Sequence, residues 1–153
     1  MGAVAWPLAG HQLVALVTSI WIYHFEGSTA FARTADQILQ AISTGKIAVV
    51  ASELVLLELL VGPLRQGALD VADEIEMAVS HLPNLRLEPV SRGILLRAAD
   101  IRARHGLRTP DSIMIATAIA ADASLVISND RQWKKVKEID VLLLDDFPVR
   151  EIM

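Results

Sequence analysis

The sequence predicts a single α/β domain, with a parallel sheet covered by helices on both faces. Three observations carry this reading. Short runs of Val, Ile and Leu alternate with longer segments of helical spacing along the chain, the order that gives parallel strands joined by helical crossovers. The apolar runs are nearly continuous, as strands buried on both faces are. With 153 residues, 53% hydrophobic and 21% charged, the chain has the size and core of one domain and not of a disordered tail.

Residues 1–12 read as a loose N-terminal extension, and 13–153 as one domain without repeats, low-complexity tracts or linkers. Leu13–Val17 is the first strand. Thr29–Ser43 is a helix with Ala32, Ala35, Ile38, Leu39 and Ile42 on one stripe and Thr44-Gly45 as its stop. Lys46–Val50 is the second strand, after which Ser52 caps a helix to about Leu60, ended by Gly62-Pro63. Gly67–Leu82 is a helix and Leu85–Val90 the third strand. Ser91–His105 is a helix closed by Gly106 at its C′ position. Thr109-Pro110, a capping hydroxyl followed by Pro at N1, starts a helix through about Ala121. Ser124–Ser128 and Val141–Leu144 are the last two strands.

Several classes are excluded. No apolar run reaches the roughly 18 residues of a membrane helix. Met1–Gln12 has no Lys or Arg for a secretory n-region, and Pro and Gly interrupt it. Without Cys, disulfide scaffolds, thiolate zinc sites and cysteine nucleophiles are out, and a reducing cytoplasm fits. The four histidines, His11, His24, His81 and His105, lack ligand spacing. The net charge of −4 hides an asymmetry: residues 1–80 carry three basic and eight acidic side chains, residues 81–153 eleven and ten. Arg86, Arg92, Arg97, Arg102, Arg104 and Arg108 face only Glu88 and Asp100, and Arg131, Lys134, Lys135 and Lys137 form a second cluster. Two readings stand: solvated helix faces, or basic patches flanking an acidic site that handles a polyanion.

Open parallel sheets bind ligands beyond the carboxyl ends of their strands. There the sequence delivers Val17-Thr18-Ser19, Glu58 on the helix after the second strand, Asp111 at the start of its helix, and Ser128-Asn129-Asp130. Each acid also has a plain structural role open to it. Asp111 suits the positive end of a helix, and Asp130 can cap the segment that follows it. Asp145 and Asp146 read as a solvated loop. Glu58 interrupts Leu54-Val55-Leu56-Leu57-Glu58-Leu59-Leu60, where an apolar residue is expected, and a buried carboxylate needs a partner or a metal.

Four segments taken in order, Thr18–Tyr23, Ser52–Gly62, Thr109–Ala118 and Ile127–Asp130, resemble the PIN-domain ribonucleases, and within them the VapC-type toxins of bacterial toxin–antitoxin pairs. The resemblance runs from about residue 13 to 147. It implies a three-layer α/β/α sandwich around a parallel sheet of about five strands, and RNA cleavage with Mg²⁺ or Mn²⁺ held by carboxylates. Matched by motif, Glu58, Asp111 and Asp130 take metal-binding positions, with Ser19 and Ser128 beside them. The family's first acid closes the first strand, where this chain has Val17. Arg108, Lys134 and Lys135 are the candidate RNA phosphate contacts. Also implied are a small antitoxin partner and a homodimer, to which the apolar surplus of Leu54–Leu64 adds weight. No membrane is expected.

Other classes fit less well. A phosphoacceptor receiver needs an acid pair after the first strand and a Lys ending the last, and a dinucleotide site needs a Gly-rich first turn; neither is present. The rival reading is a binding module of the same fold, for an antitoxin or RNA, that has lost its chemistry at Val17.

Overall fold

The computed structural model of the chain describes residues 8–27 and 30–147. Five strands, β1 (Leu13–Leu16), β2 (Ala48–Ser52), β3 (Leu85–Glu88), β4 (Leu125–Ser128) and β5 (Asp140–Leu143), form one sheet in the order β3-β2-β1-β4-β5. Every pairing is parallel, with Val14 opposite Val49 on β2 and Leu125 on β4. The central strands are the Val- and Ile-rich ones: Val14, Val50, Val126 and Ile127 are fully buried. The edge strands β3 and β5 carry Arg86, Glu88 and Asp140 and are only partly covered, as strands with one free side tolerate.

Six helices cover the sheet: α1 (Thr18–Glu26), α2 (Ala32–Ser43), α3 (Leu54–Arg65), α4 (Leu69–Ser80), α5 (Arg92–His105) and α6 (Thr109–Ala120). The chain steps outward from β1 to β3 and then crosses back to β4. Right-handed crossovers therefore put α1–α4 on one face and α5–α6 on the other. The packing follows suit: α1 meets α2 and α3, α3 meets α4, and α6 lies between α5 and strands β2 and β4. This is the expected three-layer sandwich.

Four local features differ from the sequence-based expectation. Helix α1 follows β1 directly, with Val17 as an N-cap that offers no side-chain bond and Gly27 closing it at φ 70°. Its buried residues, Thr18, Ile20 and Trp21, give no helical stripe to read. Helix α3 runs through Gly62-Pro63 to Arg65. A proline in the last turn removes only one hydrogen bond, and the turn is held by Gln66 N–H to Gly62 O at 3.2 Å and Ala68 N–H to Pro63 O at 2.9 Å. Helix α6 has Arg108, not Thr109, as its N-cap, so Thr109 supplies no cap and Asp111 sits at N3. Within the stretch expected to be a loose extension, Leu8 is buried and His11 Nδ1 lies 2.7 Å from Ser124 Oγ; residues 1–7 lie outside the described residues, as does Thr29 at the expected start of α2. The cap of α5 is as read: Ser91 Oγ accepts from Ile94 N–H at 3.2 Å, and Gly106 closes the helix at φ 69°.

Candidate active site

The strand order reverses between β1 and β4, which is where an α/β sheet opens a crevice at its carboxyl edge. A cavity of about 470 Å³ lies there. Strand β1 leads into Val17, Thr18 and Ser19 on its wall, and β4 into Ser128, Asn129 and Asp130. Helix α3 contributes Leu57, Glu58 and Val61, and α6 contributes Asp111 and Met114 behind Arg108. The acids Glu58, Asp111 and Asp130, with Ser19, Ser128 and Arg108, thus line one cavity. Lys134 and Lys135 sit outside it on the exposed 3-10 turn Arg131–Lys135, with Lys134 Nζ 3.6 Å from Asp146.

Each carboxylate has a protein donor. Thr18 Oγ1 donates to Glu58 Oε1 at 2.6 Å, tying the start of α1 to the middle of α3. Asp130 Oδ1 accepts from Gln132 N–H at 2.9 Å and caps the following turn, while Ser128 Oγ accepts from Asp130 N–H at 3.1 Å. Asp111 is gripped by Arg108, Nε to Oδ2 at 3.2 Å and Nη2 to Oδ1 at 3.4 Å. That hydrogen bond and the Asp111 charge, with the fields of Glu58 and Asp130 behind them, raise the Arg108 guanidinium above its ordinary pKa. Sequence reasoning missed Thr18 as the partner of Glu58, although a hydroxyl directly after a strand end is the available signal.

Two polar atoms on residues bordering the cavity, Ser19 Oγ and Trp133 Nε1, are buried without a hydrogen-bond partner among the described residues. A buried unpaired polar atom is costly, and these two are closed off from solvent beside the cavity. Part of the basic patches is paired with acids. Arg86 pairs with Glu88, Arg104 with Asp100 and Glu138, and Arg131 with Asp145. The histidines are likewise used structurally: His24 faces Asp36, His81 a backbone carbonyl and His105 Glu138.

A family model of the PIN domain matches residues 14–139. The chain belongs to the PIN domain family. Solved structures share its fold: a toxin–antitoxin complex from Klebsiella pneumoniae at 23% identity, covering 86% of this chain and 97% of that one with a TM-score of 0.65, and VapBC2 from Rickettsia felis bound to a promoter DNA fragment at 16%, covering 86% and 98% with 0.68. FitAcB from Neisseria gonorrhoeae is similar at 16%, covering 88% and 99% with 0.66. No curated protein sequence matches the chain.

PIN domains are generally nucleases that use a divalent ion, so the donor set must be weighed against that ion. Glu58, Asp111 and Asp130 offer the hard oxygens that Mg²⁺ and Mn²⁺ take. Among the described residues, however, no group of three His, Asp or Glu is close enough to hold one ion directly. At the head of the cavity Val17, 5% exposed, presents methyl groups and adds no oxygen donor. The donors of this PIN domain fit a water-rich ion on one or two carboxylates, the usual habit of Mg²⁺; they do not form a closed cage.

Proposed function

We propose that this PIN domain is a VapC-type endoribonuclease, the toxin of a type II toxin–antitoxin pair acting in the cytoplasm, with a divalent-ion site weakened by Val17. The convergence of Glu58, Asp111 and Asp130 on one cavity at the sheet's switch point carries the reading. Asp111, Glu58 and Asp130 would hold Mg²⁺ or Mn²⁺ through their oxygens and intervening waters. When bound, the ion supplies polarisation of a phosphate oxygen and a lowered pKa for water. Arg108 contributes positive charge at the mouth, and Lys134 and Lys135 extend it along the outer turn to engage further phosphates. Ser128 sets the loop that carries Asp130, and Ser19 stands on the cavity wall.

An antitoxin and a second copy of the chain are the proposed partners. Leu57, Val61 and Leu64 on α3 and Leu69 on α4 are exposed, a surface suited to an amphipathic segment. Light scattering at high micromolar concentration tests the dimer; a monomer there contradicts it. Among the described residues, no helix is long and apolar enough to cross a membrane.

Val17 favours a second reading, in which the fold is kept for binding alone. Calorimetry with Mn²⁺ separates the two. Heat of binding that saturates near one ion per cavity supports the nuclease, and none supports the binding module.

A further inference from the structure

Arg108 occupies an unusual position for a surface arginine. As the N-cap of α6, its backbone carbonyl accepts from Ser112 N–H at 2.9 Å and Ser112 Oγ at 3.0 Å. The backbone is thus fixed, and the long, exposed side chain folds back onto Asp111. The guanidinium covers both oxygens of Asp111, yet at 3.2 and 3.4 Å it stands farther off than the 2.7–2.9 Å usual for a charged pair. The Arg108 side chain is 77% exposed and that of Asp111 only 13%, so the pair is a lightly held cation on a mostly buried acid. Glu58 and Asp130 already have their own donors. Asp111 is therefore the acid whose charge is balanced by a removable group.

We propose that Arg108 is a built-in counter-cation that competes with a divalent ion for Asp111 and keeps the site charge-compensated until the ion displaces it. The proposal rests on the reading of Asp111 as a metal-binding residue. A guanidinium spread across both oxygens of Asp111 repels a divalent ion arriving at the same carboxylate, so occupancy by one disfavours the other. The pair is weak enough to be displaced because its guanidinium is solvated and its contacts are long.

The test is Mn²⁺ binding to the full chain, followed by the electron-spin signal of free Mn²⁺ and by calorimetry. Arg108→Gln should bind Mn²⁺ about two- to fivefold more tightly than the parent, the range an exposed ion pair supports. Arg108→Lys, which keeps the charge but loses the two-pronged grip, should fall between them. Arg131→Gln is the control for long-range charge, since Arg131 is 79% exposed and faces Asp145 instead; its affinity should match the parent's. Without metal, Arg108→Gln should melt at a lower temperature than the parent, and its melting point should climb further on adding Mn²⁺. No tightening in Arg108→Gln, or equal tightening in Arg131→Gln, overturns the competition. If Asp111→Asn abolishes Mn²⁺ binding while Arg108→Gln does not tighten it, only the competition falls. If Asp111→Asn binds Mn²⁺ unchanged, Asp111 is not a ligand and both readings fall.

Discussion

Asp111 holds two jobs at once, at the positive end of α6 and on the wall of the acid cavity, and Asp111→Asn separates them. The amide keeps the shape and loses the charge. The helix should lose about 0.3–1 kcal/mol of charge–dipole stabilisation, partly offset because two neighbouring acids no longer face a third. Mn²⁺ affinity, by contrast, should drop at least several-fold, as calorimetry beside a urea melt would register. Unchanged affinity would return Asp111 to a purely structural role. Such double employment explains why single acids are ambiguous in a sequence. Asp130 caps its turn as a bland reading expects, and it lines the cavity as well. Glu58 is more legible, because a carboxylate amid Leu54–Leu60 contradicts the surrounding pattern. The Arg108 grip on Asp111 is not legible at all, since it depends on which way a long side chain folds back.

At the scale of elements, the strands and α5 are readable because burial and capping leave compositional marks. Val- and Ile-rich runs fall on the central strands, and Ser91 and Gly106 bracket α5 as their chemistry dictates. Helix α1 is not readable, since Thr18–Glu26 mixes apolar and polar residues without a stripe and Val17 offers no cap; Gly27 at φ 70° is its one local signal. The apolar excess of α3 is legible, and part of it stays accessible, with Leu57 on the cavity wall 65% exposed and Leu64 near the helix end 52% exposed. Replacing both by Ser should change stability by no more than about 0.5 kcal/mol per site, as surface substitutions do. It should weaken an amphipathic helical partner strongly, which pull-down by the cognate antitoxin and a matched thermal melt would separate. Retained partner binding in a folded double variant contradicts the assignment of this face.

For the molecule as a whole, local ion pairs lace the basic half of the chain, and one of them bears on the response to acid. Burial pushes Glu138 upward, but hydrogen bonds from His105, from the backbone and from Arg104 outweigh it and leave the carboxyl below its ordinary value. A depressed carboxyl stabilises the fold above the unfolded pKa and loses that contribution as pH falls through the folded one. Glu138→Gln should therefore be less stable than the parent at pH 7, with the gap closing below about pH 4. Urea melts at pH 7 and pH 3 would show it; a gap of equal size at both would contradict this origin. The central claim, that this PIN domain is a metal-dependent ribonuclease weakened at one position, is tested most directly by RNA cleavage with Val17→Asp. Val17 is the N-cap of α1, a place where Asp is preferred, so capping should offset part of the roughly 1–3 kcal/mol that an added like charge costs without metal. We expect Val17→Asp to cleave RNA in the presence of Mn²⁺ or Mg²⁺, to stop on chelation, and to exceed the parent's activity clearly. A Val17→Asp protein that folds, binds the ion and cleaves nothing in a broad panel of RNAs would contradict the claim and leave the binding module in its place.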